Sequence, residues 1–418
     1  MIEAIRNALR VPDLRKKILF TLLILIIYRF GAHIPVPGVK ISDIQQLFQG
    51  SGGALNFIDL FTGGALSNFS VFALGIMPYI TASIIMQLLT VVIPTLERWQ
   101  KEGETGQKKI TQTTRYLTLG LAIVESLGYT VLFQQTLQTV QFSVLERYLI
   151  VITLTAGTAL IMWLGELITQ RGIGNGMSLI IFISIISGMP GGIRQTVQVA
   201  NPILVVVTLL MAVIVIVGIV VMEKGQRRIP IQYAKRVVGR KMYGGTSTYI
   251  PLKINSAGVI PIIFATSVLL FPATLSSLFT GPTSKAIANS LTDPTSVVRF
   301  LVLGGAIVFF TYFYTAIVFN PIEIADNVKK YGGFIPGVRP GKPTAVYLNK
   351  VLNRITLPGA IFLAMIALFP EVIGGLFNIP FWQNFGGTSM LIVVGVALET
   401  MSQLESQLLQ RHYEGFLK

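Results

Sequence analysis

A long stretch without charge, from Leu60 to Leu96, constrains the fold of this chain more than any other feature. A membrane-spanning helix needs about 20 apolar residues, so the stretch is longer than one span but too short for two spans and a turn. At its front end, residues 57–66 read FIDLFTGGAL and include Asp59, just before the uncharged stretch, and the pair Gly63-Gly64 interrupts a helix. Its second part, VFALGIMPYITASIIMQLLTVVIP, is typical of a full span. We predict a half-inserted helix, a glycine hinge and a crossing helix.

Such a break predicts a cavity or channel beside it. Non-helical backbone at membrane depth is tolerated only where protein or water covers its polar groups. The alternative interpretation is an amphipathic segment on the membrane surface that leads into an ordinary span.

The composition indicates a polytopic helical membrane protein. Of the 418 residues, 52% are hydrophobic and only 12% are charged, against about 25% charged residues in soluble domains. The chain has no cysteine and two histidines, His33 and His412, so thiolate chemistry is excluded and histidine-based catalysis or a Cys/His metal site nearly so. We therefore expect no catalytic residue, no metal and no cofactor. The start, MIEAIRNALRVPDLRKK, leads into a span, and we expect no cleavable signal.

Ten apolar spans with cytoplasmic termini explain the distribution of positive charge. The predicted spans cover residues 18–34, 69–92, 116–133, 149–170, 177–188, 203–222, 258–278, 300–319, 357–369 and 387–401. Counted by alternate sides, 27 of the 33 Lys and Arg residues lie on the side of both termini, five lie on the other side, and Arg29 lies inside the first span. The positive-inside rule places the richer side in the cytoplasm.

Two predicted cytoplasmic loops, residues 223–255 and 321–355, are too long for simple connectors. In the first, alternating β-prone residues predict a hairpin. In the second, YGGFIPGVRPG predicts a rigid tip around Arg339. Both loops are basic and contain aromatic residues. They could anchor to anionic lipid or dock a large acidic or RNA-containing partner, and ordered turns favour docking by Arg240, Lys241 and Arg339.

The chain divides near residue 200 into halves of five spans, residues 1–200 and 201–418. Because five is odd, the halves have opposite orientations, as in inverted repeats that place a pathway at their interface. Three charges stand inside predicted spans: Arg29 and Glu166, for which we favour a structural role, and Glu125, a candidate polar contact between helices.

Several long strings resemble the SecY family, the channel subunits of bacterial protein translocases, over nearly the whole chain. They are GIMPYITASIIMQLLTVV, KEGETGQKKITQTTRY, WLGELITQRGIGNGMSLIIF, EKGQRRIPIQYAKR, FNPIEIADNVKKYGGFIPGVRPG and FGGTSMLIVVGVALET. The resemblance implies an all-α membrane fold of ten helices in two inverted, pseudo-symmetric halves, with a half-inserted plug helix.

The resemblance also implies a plug, a pore ring and a lateral gate. The plug corresponds to residues 56–65, with Asn56, Phe57, Phe61, Gly63 and Gly64 as candidate residues. The ring corresponds to Ile76, Ile80, Met177, Ile181, Ile263 and Ile392. The gate lies between the second and third spans on one side and the seventh and eighth on the other, near Gln87, Glu125 and Asn255. Two residues depart from the family pattern: Met177 replaces a branched apolar residue, and Glu125 replaces an amide.

Spacing supports the ring in part. Ile76 and Ile80 are four residues apart, as are Met177 and Ile181, so each pair shares one helical face. The alternative is that these are packing or lipid-facing residues, which any span contains. An apolar collar can block ions by dewetting.

The implied function is the central channel subunit of a preprotein translocase. Such a subunit moves unfolded polypeptides across the bacterial plasma membrane and releases hydrophobic segments sideways into lipid, without catalysing a reaction. The implied partners are the subunits SecE and SecG, the motor SecA, ribosomes, signal peptides, nascent chains and membrane lipid. The alternative is a secondary transporter with inverted repeats, although that class needs polar ligands at mid-membrane. An intramembrane enzyme is a more distant possibility.

Overall fold

The computed structural model of the protein describes residues 6, 8–39, 44, 48, 59–136, 142–199, 201–233, 236–238, 241–243, 247–256, 258–277, 286, 290–291, 293, 296–377 and 379–416. Asn56, Phe57 and Arg240 lie outside the described residues, as does the side chain of Lys241.

Each of the ten predicted spans overlaps one long helix, which confirms the ten-helix layout. These helices are α1 (Pro12–Gly31), α2 (Met77–Val92), α4 (Glu104–Thr136), α5 (Val144–Arg171), α6 (Gly176–Val199), α7 (Pro202–Lys224), α8 (Ile260–Ser277), α9 (Val297–Val318), α11 (Lys342–Leu376) and α13 (Gly387–Phe416). Three shorter helices are α3 (Pro94–Lys101), α10 (Pro321–Lys330) and α12 (Pro380–Asn384).

By length and composition, six described helices could each cross a membrane, namely α5, α6, α7, α9, α11 and α13. Helices α2 and α3, bent by 100° at Ile93, would together make a seventh. Helix α7 shows the expected lipid-facing character, since its mean hydropathy is 3.4 and Ile203 and Ile214 are 77% and 70% exposed. Apolar surface of this extent is not normally left to water.

The second predicted span is only partly helical. Helix α2 begins at Met77, with Pro78 in its first turn, whereas residues 63–76 form turns and one isolated bridge. The prediction of a full helix over residues 69–92 is therefore wrong at its start. Gly63, Gly64 and Gly75 adopt positive φ values of 67°, 85° and 57°, which glycine tolerates and an α-helix excludes.

The two long predicted loops are joined by a small β-sheet, so the all-α description needs an exception. The predicted hairpin is present: β1 (Gln226–Tyr233) pairs antiparallel with β4 (Ser247–Lys253). A short strand of the second loop, β5 (Gly333–Phe334), pairs with the other edge of β1. Two further strands, β2 (Arg236–Val238) and β3 (Lys241–Tyr243), pair with each other.

Much of the second predicted loop is helical. Asn320 accepts hydrogen bonds from the backbone N–H groups of Ile322 and Glu323 and so caps α10. Helix α11 begins at Lys342 and continues through Pro358 and Pro370 to Leu376, so the ninth span is longer than residues 357–369. Charged residues in its first turns concealed the helix from a search for apolar runs.

Both halves contribute to one large apolar core. Its buried residues include Ile24, Ile80 and Ile181 from the first half and Ile262 and Ile392 from the second. The halves are therefore packed against each other along this core.

We predict that the two loops can be crosslinked through the sheet. Gln232 and Phe334 are direct partners, and paired antiparallel residues lie within the Cα separation that a disulfide needs. Because the chain has no cysteine, oxidation of the Gln232→Cys/Phe334→Cys variant should give one disulfide, detected by thiol trapping and a gel shift. The control pair Gln226→Cys/Phe334→Cys is six residues out of register, about 20 Å along the strand, and should stay reduced. Equal crosslinking of both pairs would contradict the register.

Candidate functional site

A short helical turn at residues 59–62 ends in the glycine hinge. The backbone N–H groups of Gly63 and Gly64 donate back to the carbonyls of Leu60 and Asp59, at 3.2 and 3.1 Å. One carboxylate oxygen of Asp59 accepts from the N–H groups of Leu66 and Ser67, at 3.0 and 2.9 Å. The Asp59 side chain therefore fixes the chain reversal at the hinge.

The non-helical backbone after the hinge is enclosed by protein. Ala65 and Leu66 are 0% exposed, and Phe69 is 1% exposed. The backbone N–H of Val36 donates to the Phe69 carbonyl at 2.9 Å, and that of Val71 donates to the Ile34 carbonyl at 2.9 Å. The chain after α1 thus satisfies part of this backbone, as irregular structure at membrane depth requires.

Side chains of helices α1 and α6 form hydrogen bonds at the hinge. The Arg29 Nη1 donates to the Gly63 carbonyl at 2.7 Å. The Tyr28 hydroxyl lies 2.7 Å from the Ser184 Oγ and 3.3 Å from the Thr62 carbonyl. Nothing in the sequence of the first span indicates that Arg29 has a partner 34 residues later in the chain.

The six candidate ring residues all belong to the large apolar core. Ile76, Ile80, Ile181 and Ile392 are buried in it, and Met177 and Ile263 pack against it. Ile76 directly precedes α2, and Met177 lies in the first turn of α6 with its sulfur against Gly165. The core contains many other apolar residues, so the assignment of these six as a ring stays a prediction.

The candidate gate residues are not joined to one another by any hydrogen bond within the described ranges. The Asn255 Nδ2 donates to the Glu223 Oε1 at 2.7 Å and to the Gly258 carbonyl at 3.0 Å. Asn255 thus ties the end of α7 to the approach to α8. The amide oxygen of Gln87, on α2, is buried without a hydrogen-bond partner. Glu125 is half-buried on α4, and no helix-to-helix polar contact of its side chain is found in the described structure.

Two ion pairs join neighbouring helices, and the sequence alone predicts neither pairing. Arg115 on α4 donates two hydrogen bonds to the carboxylate of Glu166 on α5, at 2.7 and 2.6 Å. Arg299 on α9 donates to Glu371 on α11 at 2.8 Å, and both side chains are almost fully buried. The predicted spans ended before Glu371 and began after Arg299, so neither charge counted as intramembrane.

The tip of the second loop is a turn that contains glycine and proline and presents Arg339 to solvent. Gly337 and Gly341 flank it with φ values of 81° and 101°. The Thr344 hydroxyl donates to the Arg339 carbonyl at 2.8 Å, while the Arg339 side chain is exposed. Arg339 is thus exposed at a defined turn, and its role in docking stays a prediction.

No group of three or more metal-ligating side chains is close enough to hold a metal ion among the residues that the structure describes. The described hinge and core offer hydrogen bonds and apolar contacts.

We predict that the buried ion pair of α9 and α11 stabilises the fold only as a pair. Glu371→Leu should lower the free energy of unfolding by about 3–5 kcal/mol, because it leaves the Arg299 charge buried without its main partner. The measurement is thermal unfolding of the purified protein in detergent. The double variant Arg299→Met/Glu371→Leu should recover at least half of that loss, and a double variant as unstable as the single one would contradict the prediction.

Sequence comparisons point to one family. A family model named SecY matches residues 70–401. The chain is 49% identical over 445 residues to the protein translocase subunit SecY of Mycobacterium tuberculosis strain H37Rv, with 100% of both chains covered. It is 51% identical over 441 residues to that of Streptomyces coelicolor and 52% identical over 445 residues to that of Streptomyces galbus, again over 100% of both chains.

Solved structures of low identity share the fold. A protein-conducting channel superposes with a TM-score of 0.67 at 19% identity, covering 93% of this chain and 91% of the other. A SecY protein, described as having a plug domain that stabilises the closed state and maintains a membrane seal, gives 0.67 at 20% identity with the same coverage. Sec61 from a canine ribosome–channel complex gives 0.64 at 17% identity, covering 93% and 91%. With its ten-helix layout and full-length similarity to translocase subunits, the chain belongs to the SecY family.

Proposed function

We propose that this protein is the protein-conducting channel subunit of a membrane translocase. It passes unfolded polypeptides across the membrane and releases hydrophobic segments sideways into lipid. The observation that carries the proposal is the hinged segment at residues 59–64, packed against α1 and α6 beside an apolar core to which both halves contribute. The names of the relatives support the same function.

The segment at residues 56–65 serves as the plug in this proposal. Its described part, residues 59–65, packs Phe61 and Ala65 into the protein, at 2% and 0% exposure. The glycine hinge gives a point about which such a segment can move without unfolding α2. The similar solved SecY channel with a described plug domain supports this role.

The pore ring supplies the seal below the plug. An apolar constriction excludes ions because water leaves it, so no charged filter is needed. Isoleucine and methionine also deform around a passing chain without binding any one side chain tightly, which suits substrates of arbitrary sequence. The ring therefore does not select substrates by the polarity of their side chains.

The pathway lies between halves 1–200 and 201–418, and the lateral gate lies between α2 and α8. Gln87 is on α2, and Asn255 just precedes α8. Each has a buried amide oxygen without a hydrogen-bond partner. Interhelical hydrogen bonds in membranes average only about 0.6 kcal/mol, and none joins Gln87 to Asn255 in the described structure, so polar contacts between these two residues present no barrier to an arriving apolar signal helix.

We place both termini and the β-sheet in the cytoplasm of a bacterial cell, with the helices in its plasma membrane, because most Lys and Arg residues lie on that side. The protein itself catalyses no reaction and needs no cofactor, so a partner supplies energy. The proposed partners are SecE, SecG, SecA and the ribosome, and a similar Sec61 channel is described in complex with a ribosome.

The ring can be tested by changing its polarity. In the triple variant Ile76→Asn/Ile181→Asn/Ile392→Asn, water should enter the constriction, so resting ion conductance in planar bilayers should rise and weak signal sequences should pass. The triple Ile→Val variant at the same positions removes one methylene group per site without adding polarity and should stay near the parent conductance. If both triple variants conduct alike, the ring assignment fails.

Docking can be tested at the tip of the second loop. Arg339→Glu reverses a charge that no described side chain neutralises, so it should reduce motor-driven export about tenfold or more, measured with vesicles and purified motor. The amount and thermal stability of the protein should not change. Lys350→Glu, an equally exposed reversal on α11, should export normally, and normal export by Arg339→Glu would exclude the tip from docking.

A further inference from the structure

The point where the helical turn of the plug ends is bound by two membrane helices. Gly63 receives a hydrogen bond of 2.7 Å from Arg29 on α1 through its carbonyl. Carbonyls at the end of a helical turn lack intrahelical donors, so this one depends on an external partner. A bond to a charged donor is roughly twice as strong as a neutral one.

The hydroxyl pair of Tyr28 and Ser184 makes a weaker, conditional contact with the same turn. The Ser184 Oγ is 2.8 Å from the Ile180 carbonyl and 2.7 Å from the Tyr28 hydroxyl. Each hydroxyl has one proton. If Ser184 donates to Ile180, Tyr28 donates to Ser184 and the Thr62 carbonyl, 3.3 Å away, receives no full bond. Arg29 faces no such competition, so it carries the main link.

The close fit of Gly63 shows how tightly the hinge is held. A Cβ at position 63 would lie 2.7 Å from the Arg29 Nη1 and 2.9 Å from the Ser184 Cα. At Gly64, which has a similar positive φ of 85°, a Cβ would meet nothing within 4 Å. The two adjacent glycines therefore differ in the space around a Cβ: at Gly63 it would meet α1 and α6, and at Gly64 it would meet no other atom.

We propose that Arg29 is a positioning residue that latches the plug closed by donating to the Gly63 carbonyl, with the Tyr28–Ser184 hydroxyl pair as an auxiliary contact. The inference rests on the proposed plug function and specifies what holds the plug. Opening must break the bond between α1 and the hinge, so this bond contributes to the threshold that a signal sequence has to overcome.

The first test removes the donor. The full-length protein, purified with the subunits that accompany it, is reconstituted in planar bilayers. Arg29→Met keeps the apolar stem and should raise the resting ion leak about tenfold, the change expected when a hydrogen bond to a charged group is lost. Arg29→Lys keeps a donor and should recover part of the seal. Arg15→Met, an exposed change near the start of α1, should leave the leak unchanged.

The second test reports the position of the plug. The chain contains no cysteine, and Ala65 is 0% exposed, so Ala65→Cys is a buried reporter. A membrane-impermeant maleimide added from the outer side should label it slowly in the parent and about tenfold faster with Arg29→Met. Tyr28→Phe, which keeps the ring stacked on Phe72, should have a smaller effect.

The third test changes the glycines of the plug instead of Arg29. Gly63→Ala and Gly64→Ala impose similar backbone strain because both φ values are positive. Only Gly63→Ala should match the leak and labelling of Arg29→Met, since only that Cβ meets Arg29 and α6. Equal effects of the two alanines would overturn the latch.

Deleting residues 56–65 separates the latch from the plug function. If the deletion leaks and Arg29→Met neither leaks nor speeds labelling, the latch is wrong and the plug function stands. If Arg29→Met leaks without faster labelling, Arg29 acts elsewhere on the pore and the latch is also wrong. If the deletion does not leak, the sealing role of the plug itself fails.

Discussion

The absence of water inside a bilayer means that every exposed backbone N–H and C=O must find a partner in the protein. This requirement governs residues 63–76, where the chain is not helical. The Asp59 carboxylate receives two backbone N–H groups, and the segment after α1 pairs with Phe69 and Val71. The carbonyl of Gly63 accepts a hydrogen bond from Arg29. The packing of α1 and α6 around the hinge follows from this need.

Local features of the fold could be predicted because they depend on neighbours in sequence. The Gly63-Gly64 pair predicted the hinge, the apolar runs predicted ten helices, and alternating residues predicted the β1–β4 hairpin. The start of α2 was placed too early because residues 69–76 are as apolar as a span. Gly75 and Pro78 distinguish these buried turns from a helix, but a hydropathy average does not show the conformational preferences of glycine and proline.

Long-range partners could not be predicted, because no periodicity connects residues that are far apart in the chain. Arg29 was recognised as an intramembrane charge, but its acceptor is a backbone carbonyl, which carries no residue-type signal. The Arg299–Glu371 pair spans 72 residues, and the pairing of β1 with β5 spans about a hundred. In the candidate site, the ring residues came from family motifs, and the structure adds only that they share one core.

The strand β5 has a mechanical consequence. It belongs to the segment that carries Arg339 and leads into α11, yet it is hydrogen-bonded to β1, which continues directly from α7. A push or pull on the Arg339 tip is therefore shared between α7, α10 and α11 instead of bending a single connector. The two loops therefore respond to such a load as one unit, because β1 and β5 are hydrogen-bonded to each other.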